Sequence, residues 1–274
     1  MASFDFDQAE GLRRMLAGPK PRVYTFLSAT SDEEKNAMLI NLSASLASSG
    51  SDVLLMDATA SARGVASRLG ANIGATLQEV ACQERALNEV VQTTPQGFGV
   101  ATLSRGLVPA AGCHSDQARR LANAFGILAK QADVLIVDAE LGDDDGFPVP
   151  AMANGEIIVQ VSCSASSITA AYGIIKRLNR RLGRRPFSVL VTGGTDKEAQ
   201  LVYANMAQAA SRYLAVQLNS MGSVPADEHL MHAARLGRTV IDAFPKACAS
   251  LAFHRLAGRF ASVGAHTAAI GTGA

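Results

Sequence analysis

The chain has 274 residues, of which 48% are apolar and 18% are charged, and its formal net charge is +1. The composition is that of a globular protein of one or two domains, and the near-neutral charge excludes nucleic-acid or membrane binding through overall charge alone. The acidic N-terminus predicts no signal peptide, and no apolar run approaches the ~20 residues of a membrane span. The four cysteines form no C-x-x-C pair, which favours reduced thiols in the cytoplasm.

The first 20 residues are predicted to form an arm separate from the rest of the chain. Asp7 can cap a short helix, and Leu12 and Leu16 belong to an apolar strip along it. Two prolines in "GPKP", at 18–21, break any helix that would continue. The arm either packs on the domain or is taken up by a partner.

From residue 21 to 262, short apolar and β-branched runs alternate with helix-like segments. The runs are nearly continuous, as expected for strands that are covered on both faces. Alternation of this kind predicts βαβ units, and hence an α/β domain with a mostly parallel sheet and helices on both faces. A small, Gly-rich stretch at 263–274 is predicted to be a disordered tail. The predicted strands lie at 22–27, 52–57, 98–103, 133–138, 156–161, 188–193 and, more weakly, 218–225. The predicted helices lie at 35–48, 115–130, 166–182, 197–213, 227–237 and 246–262.

Residues 28–34, after the first predicted strand, lie where a phosphate-binding loop is expected. Such a loop needs glycines so that backbone N–H groups can face the phosphates, a lysine for the terminal phosphates, and a Ser or Thr hydroxyl for Mg²⁺. Here Lys35 is present, but the loop has no glycine, Asn36 stands at the hydroxyl position, and three acidic residues at 32–34 precede the lysine.

The acidic residues oppose nucleotide binding. One carboxylate about 4 Å from a phosphate charge costs ~1 kcal/mol in water and ~4 kcal/mol near a protein surface. Three of them, with the lost N–H contacts, remove most of the about 8 kcal/mol of a micromolar affinity. The same stretch suits a helix start, with Ser31 as the cap and Glu33 and Glu34 in the first turn. We predict this structural role, with retained nucleotide binding as the alternative.

Three motifs give the chain a resemblance to a known family. They are "DQAEGLR" (7–13), "ASSITAAYGIIKRL" (165–178) and "GSVPADEHLMHAARLGRTVIDAFP" (222–245). With these motifs, nearly the whole chain resembles the MinD/ParA family of deviant Walker-A ATPases. Within that family it is most similar to the MinD-like regulators of flagellar number and position, the FlhG/FleN type. The resemblance implies a P-loop NTPase architecture.

The motifs of the nucleotide site depart from this family. The family loop K-G-G-V-G-K-T, laid on residues 30–36, retains only Lys35, and Thr30 replaces the signature lysine that acts across a dimer. In the next motif, D-A-D-x-G, Asp57 is kept, but Thr59 replaces the aspartate that positions the attacking water. These losses imply that the chain kept the fold and lost the chemistry.

The remaining motifs of the nucleotide site also differ from those of the family. The Walker-B aspartate is kept as Asp138, Gly142 is kept, and Glu140 intrudes between them. "VTGGT", at 191–195, replaces the segment with the adenine-reading asparagine. No tightly bound cofactor is expected, and Mg-ATP is the ligand if the site works. In that case Lys35 would contact phosphate, Asp57 would position water or metal, and Asp138 would support the metal indirectly. The candidate nucleotide-site residues are Lys35, Asn36, Asp57, Asp138 and Gly142.

The resemblance also implies a protein partner. In the family, the D-Q-A-x-x-L-R motif stimulates a signal-recognition-type GTPase that sets flagellar position. The expected function is regulation of flagellar biosynthesis, number and placement through protein contacts, in the cytoplasm or peripherally at the membrane or cell pole. Two alternatives stay open: a weak Mg-ATPase that dimerises on ATP, and an accessory protein of another secretion or cellulose-export system. The implied partner-binding residues are Asp7, Gln8, Ala9, Leu12, Arg13 and Arg14.

Two further segments carry charge on a helix. A basic face on the helix over 166–182 and beyond is predicted to be solvated, with an acidic protein, DNA or anionic lipid as alternative partners. The helix within 250–263 is predicted to cover the sheet, with membrane anchoring as the alternative. No metal site is predicted from the sequence. The basic residues are Lys176, Arg177, Arg180, Arg181, Arg184 and Arg185.

Overall fold

The computed structural model describes residues 21–61, 63–71, 74–106 and 115–269. Within them, eight strands form one sheet in the order β3-β4-β2-β5-β1-β6-β7-β8, in which only β3 and β4 pair antiparallel. The predicted α/β class with a mostly parallel sheet is therefore confirmed. The strands are β1 (Arg22–Ser28), β2 (Val53–Ala58), β3 (Gln92–Thr93), β4 (Gly99–Thr102), β5 (Val134–Ala139), β6 (Glu156–Ser162), β7 (Phe187–Gly194) and β8 (Leu218–Pro225).

Each helix predicted between residues 35 and 262 is present, and several short elements were not predicted. Four-residue helices and a two-residue strand carry too few residues to show a period, so contacts with the rest of the fold decide them. The helices are α1 (Asp32–Ser48), α2 (Val65–Arg68), α3 (Leu77–Ala81), α4 (Ser115–Ala129), α5 (Ala165–Leu182), α6 (Asp196–Leu214), α7 (Glu228–Arg235), α8 (Val240–Ala243) and α9 (Cys248–Ala269). Two 3₁₀ turns lie at Leu87–Glu89 and Pro150–Asn154.

The helix boundaries differ from the prediction by three residues or more at two places. Helix α1 begins at Asp32 rather than at 35, because Ser31 caps it. Helix α9 passes the predicted boundary at 262 and continues to Ala269. The arm predicted at 1–20, with its motif, lies outside the described residues.

Both faces of the sheet are covered by helices, as a parallel sheet requires. One face packs against α1, α7 and α9, and the other packs against α4, α5 and α6. On the first face Phe253, Leu256 and Phe260 of α9 are buried, and the hydroxyl of Tyr24 donates to the carbonyl of Phe260 at 3.0 Å. The predicted role of this helix in covering the sheet is thereby confirmed. No helix within the described ranges is long and apolar enough to cross a bilayer.

Candidate functional site

The carboxyl ends of β1, β2 and β5 bring three of the predicted site residues together. Asp57 on β2 lies directly opposite Asp138 on β5, at the last positions but one of the two strands. Their neighbours two residues earlier, Leu55 and Ile136, pack on the face that carries α1. Because side chains alternate along a strand, both carboxylates face α1, from whose first turns Lys35 approaches. Ligands of open α/β sheets bind at this edge.

The turn between β1 and α1 is a helix start. Ser31 caps α1: its hydroxyl accepts from the N–H of Glu34 at 3.3 Å, and the Glu34 carboxylate accepts from the N–H of Ser31 at 3.3 Å. Before the cap, the N–H of Thr30 donates to the Ser28 hydroxyl at 3.1 Å. This reciprocal capping box confirms the predicted cap and places the acidic residues in the first helical turn.

Lys35 lies against the Walker-B position. Its ammonium nitrogen is 3.1 Å from a carboxylate oxygen of Asp138 and 3.9 Å from one of Asp32. The side chains of Lys35 and Asp138 are only 6% and 1% exposed, so the ion pair is buried. Burial raises the pKa of Asp138 to about 7, with a further rise from Asp57, whereas Lys35 opposes the rise. The pair joins the first helix to the centre of the sheet.

Asp57 is a structural cap. One carboxylate oxygen accepts from the N–H and the hydroxyl of Thr59, at 3.2 and 2.8 Å, and the other accepts from the N–H of Ala66 at 3.0 Å. Gly64 approaches this carboxylate so closely that a Cβ atom on it would lie 2.2 Å from the oxygen. Asp57 thereby holds the loop after β2 and the start of α2.

Comparison with known proteins decides the family. No protein-family model matches the chain. The antiactivator FleN of Pseudomonas aeruginosa is 32% identical over 224 residues, which are 81% of this chain and 80% of FleN. The chain belongs to the FleN-type branch of the MinD/ParA family.

Solved structures agree on the fold of this FleN-type protein. The MinD cell division protein of Aquifex aeolicus has a TM-score of 0.65 at 19% identity and covers 88% of this chain and 97% of its own. MinD from Pyrococcus horikoshii, solved with Mg-ADP, has a TM-score of 0.64 at 18% identity and covers 89% and 98%. At these identities the likeness shows the fold alone, and it confirms the predicted MinD/ParA-like architecture.

The other candidate nucleotide-site residues of the FleN-type chain hold loops together. The side-chain amide of Asn36 donates to the carbonyl of Arg63 at 3.0 Å, which ties α1 to the loop after β2. Gly142 begins a tight turn, in which its N–H donates to the carbonyl of Gly146 at 2.9 Å. The carboxylate of Glu140 accepts from the N–H of Ala60 at 3.5 Å, so the loops after β2 and β5 also touch.

The predicted basic face of the FleN-type chain is partly occupied by its own carboxylates. Asp145, buried and at φ 60°, lies between Arg177, whose Nε is 2.5 Å from it, and Arg180. The hydrogen bonds from these two arginines lower the pKa of Asp145. Arg181 lies 3.6 Å from Asp144. The loop after β5 is thereby fastened to α5.

Of the three remaining residues of the basic face, one contacts backbone carbonyls and two are exposed to solvent. Arg185 donates to the carbonyls of Ala153 and Gly155, at 2.5 and 2.9 Å. Lys176 and Arg184 are exposed. Sequence analysis did not predict the role of Asp145, because its arginine partners come from a helix more than 30 residues further along the chain. The opposite charges of the acidic stretch at 143–145 and of the basic helix α5 were the sequence signal that could have predicted this contact.

Proposed function

We propose that this protein regulates flagellar number and placement through protein–protein contacts, and that its own ATP site no longer works. The observation that carries the proposal is the turn before Lys35, where a capped helix stands in place of a phosphate loop. The similarity to FleN, which is named an antiactivator, supports a regulatory role. In this proposal the α/β body is a scaffold.

The residues present do not fit Mg-ATP. A phosphate loop leaves its backbone N–H groups free for the ligand, whereas here the N–H groups of Thr30, Ser31 and Glu34 bond within the turn. Lys35 is buried against Asp138, and Asp57 is occupied by three hydrogen bonds. These hydrogen bonds and the Lys35–Asp138 ion pair would have to break before the same groups could contact bound ATP.

The charge at the start of α1 also opposes ATP binding. The exposed carboxylates of Glu33 and Glu34 stand at the start of α1, beside the half-exposed Asp32. Each would cost about 1–4 kcal/mol against a phosphate charge about 4 Å away. The helix dipole offsets only about 0.3–1 kcal/mol of that cost. Regulation by ATP-driven dimerisation is therefore disfavoured, and a homodimer, if one forms, must be held by other contacts.

Without nucleotide chemistry, partner contacts carry the function. The N-terminal motif, with Asp7, Gln8, Leu12 and Arg13 among its residues, is proposed to engage a signal-recognition-type GTPase. DNA or lipid binding by the basic face is less favoured, because Asp144, Asp145 and backbone carbonyls take up four of its six cations. We place the protein in the cytoplasm, with recruitment to the membrane or cell pole through its partner.

The first test is nucleotide binding. A working site with nucleotide at about 100 times its Kd gains about 2.7 kcal/mol, which raises the Tm of a chain of this size by about 5–10 °C. We expect millimolar Mg-ATP to shift the Tm by less than about 1 °C, and phosphate release to be the same in wild type and in Lys35→Ala. A Tm rise, together with phosphate release that Lys35→Ala abolishes, would establish an active Mg-ATPase instead.

The second test is the arm. Stimulation of the partner GTPase is expected from a peptide of residues 1–18 and from the full chain, and to be lost when these residues are deleted. Separate Arg13→Ala and Arg14→Ala variants identify the charged group involved, with Lys20→Ala, outside the motif, as the matched control. Full stimulation by the chain that lacks residues 1–18 would refute the role of the arm. It would not affect the conclusion from the Mg-ATP binding test.

A further inference from the structure

The α4 groove, a cavity of about 390 Å³, lies on the sheet face that carries α4 and α5, opposite the face of the Lys35–Asp138 pair. It begins at the 3₁₀ turn Pro150–Asn154, by the amino ends of the strands, and reaches the loops after β2 and β5 at their carboxyl ends. Over this length β5 spans about 20 Å. The lining includes Ala118 and Leu121 of α4, Leu141, Phe147 and Val149 of the loop after β5, and Leu182 of α5.

The α4 groove leaves large apolar side chains partly uncovered among the described residues. Leu121 and Val149 are buried in its floor, whereas Leu141, Phe147 and Leu182 are only half-buried. One wall is held in place by the ion pairs that fasten the loop after β5 to α5. A preformed apolar groove of this kind suits the apolar side of an amphipathic helix.

The arm, residues 1–20, joins the domain at the amino end of the α4 groove. The first residues of β1 lie against the 3₁₀ turn, where the hydroxyl of Thr25 donates to the carbonyl of Met152 at 2.7 Å. Directly after this turn, a Cβ atom on Gly155 would lie 2.1 Å from the carbonyl oxygen of Val23. Because Ala153 of the same turn lines the groove, the arm emerges beside it.

The arm has the length and the residue pattern to fill the α4 groove. A helix over 7–16 is about 15 Å long, and residues 17–20 add about 13 Å when extended. Their sum exceeds the about 20 Å that the groove follows along β5. Leu12, Met15 and Leu16 form the apolar strip of the arm, which matches the uncovered walls of the groove.

The α4 groove also has an acidic residue within reach of the arm. Asp144 and Arg181 in the lining lie 3.6 Å apart and offset each other, whereas the exposed carboxylate of Glu140 has no ion-pair partner among the described residues.

The sheet register gives the distance from the arm to this carboxylate. Arg22 is in register with Val134, so Glu140 lies six residues, or about 20 Å, further along the sheet. Residues 14–20 carry Arg13 about 19 Å from the start of β1, so its guanidinium can reach the Glu140 carboxylate.

We infer that the arm docks in the α4 groove of its own chain, with its apolar strip against Leu141 and Phe147 and with Arg13 beside Glu140. A docked arm withholds the D-Q-A-x-x-L-R motif, so a partner must displace the arm before it can bind the motif. This autoinhibitory role rests on the proposed engagement of a GTPase, whereas the docking itself does not.

Limited trypsin cleavage of the full chain measures docking. Trypsin cuts after Arg13 and Arg14, and a docked helix is cut only in the fraction of molecules in which it has opened. Mass spectrometry follows the release of the two N-terminal fragments. We expect their release to be at least about tenfold slower from the wild type than from a free peptide of residues 1–18.

A blocked groove shows where the arm is held. Ala118→Trp, at an exposed position of α4, places an indole in the groove and should remove the protection. Ala204→Trp, at an exposed position of α6, is the matched control and should leave the protection unchanged. Circular dichroism checks that both variants are folded. Unchanged protection in a folded Ala118→Trp variant would overturn docking in this groove.

A charge exchange tests the contact between Arg13 and Glu140 without filling the groove. Arg13→Glu and Glu140→Lys each bring like charges together, so each should reduce the protection relative to a peptide of the same sequence. The double variant should restore most of it. Two single losses that simply add in the double variant would refute this contact.

The outcomes separate docking from the proposed function. Cleavage of the wild type as fast as that of the peptide would overturn the docking and leave the proposed function standing. Protection that rises with protein concentration would place the arm in the groove of a second copy instead, because docking within one chain is independent of concentration.

The partner GTPase reports the autoinhibitory role. With about nine-tenths of the arms docked, Ala118→Trp should stimulate the GTPase at a concentration about tenfold lower than the wild type needs. Equal stimulation by the two would overturn the autoinhibitory role. Absence of stimulation by every form, including the free peptide, would overturn the proposed function and leave the docking measured by trypsin intact.

Discussion

Replacement of Lys35 by methionine is expected to lower the free energy of unfolding by about 3–5 kcal/mol at about pH 8, because it leaves the buried carboxylate of Asp138 without its counter-ion. In an ATPase whose lysine binds the phosphates of ATP, the same change would abolish ATP binding and would lower the free energy of unfolding only slightly. Urea unfolding followed by circular dichroism measures the difference. Lys176→Met, an exposed lysine on α5, is the matched control and should change stability by less than about 0.5 kcal/mol.

The pH dependence of this variant follows from the raised pKa of Asp138. A carboxyl group whose pKa is about 7 in the folded state and about 3.8 in the unfolded chain favours folding in its neutral form. That contribution is complete below the unfolded pKa and is lost as the pH rises through about 7. Loss of Lys35 raises the folded pKa further, so the cost of Lys35→Met should shrink towards about pH 5.

A second substitution tests the pairing directly. In Lys35→Met with Asp138→Leu, two apolar side chains replace the buried pair, and such replacements are often neutral or stabilising. The double variant should recover most of the stability that Lys35→Met loses at about pH 8. Equal stability of wild type and Lys35→Met at that pH would show that the ion pair does not hold this part of the fold.

Asp57→Ala is expected to lower the free energy of unfolding by about 2–5 kcal/mol, because two buried N–H groups, those of Thr59 and Ala66, lose their acceptor. Phosphate release should stay at the level of the wild type. Asp143→Ala, an exposed acid at the same sheet edge, is the control and should have little effect. A variant as stable as wild type but with reduced hydrolysis would make Asp57 a functional group of an ATPase.

Gly64 provides an independent check of this contact. A Cβ atom at Gly64 would collide with the Asp57 carboxylate, so Gly64→Ala should be destabilising by itself. Because both changes disrupt one contact, their effects should be less than additive in the double variant. Fully additive losses would mean that the close approach between Gly64 and Asp57 contributes nothing to the stability of the loop.

Much of this protein could be predicted from short stretches of sequence. Apolar runs such as 133–138 predicted the buried strands, and Ser31 with Glu34 predicted the helix cap, because periodicity and capping depend on residues close together in the chain. The order of family motifs likewise predicted the fold. Lys35 and the acidic residues before it also located the candidate nucleotide site, because the residue types at these positions can be identified from the sequence alone.

The sequence by itself determined the α/β class, the family, and the charge and conformation of the turn before Lys35. Only the tertiary structure decided which groups Lys35, Asp57 and the basic helix contact. Asp138 meets Lys35, Ala66 meets Asp57, and Asp145 meets Arg177 and Arg180 across long separations in the chain. Contacts of this kind depend on strand order and helix packing, and local residue patterns do not encode either of them.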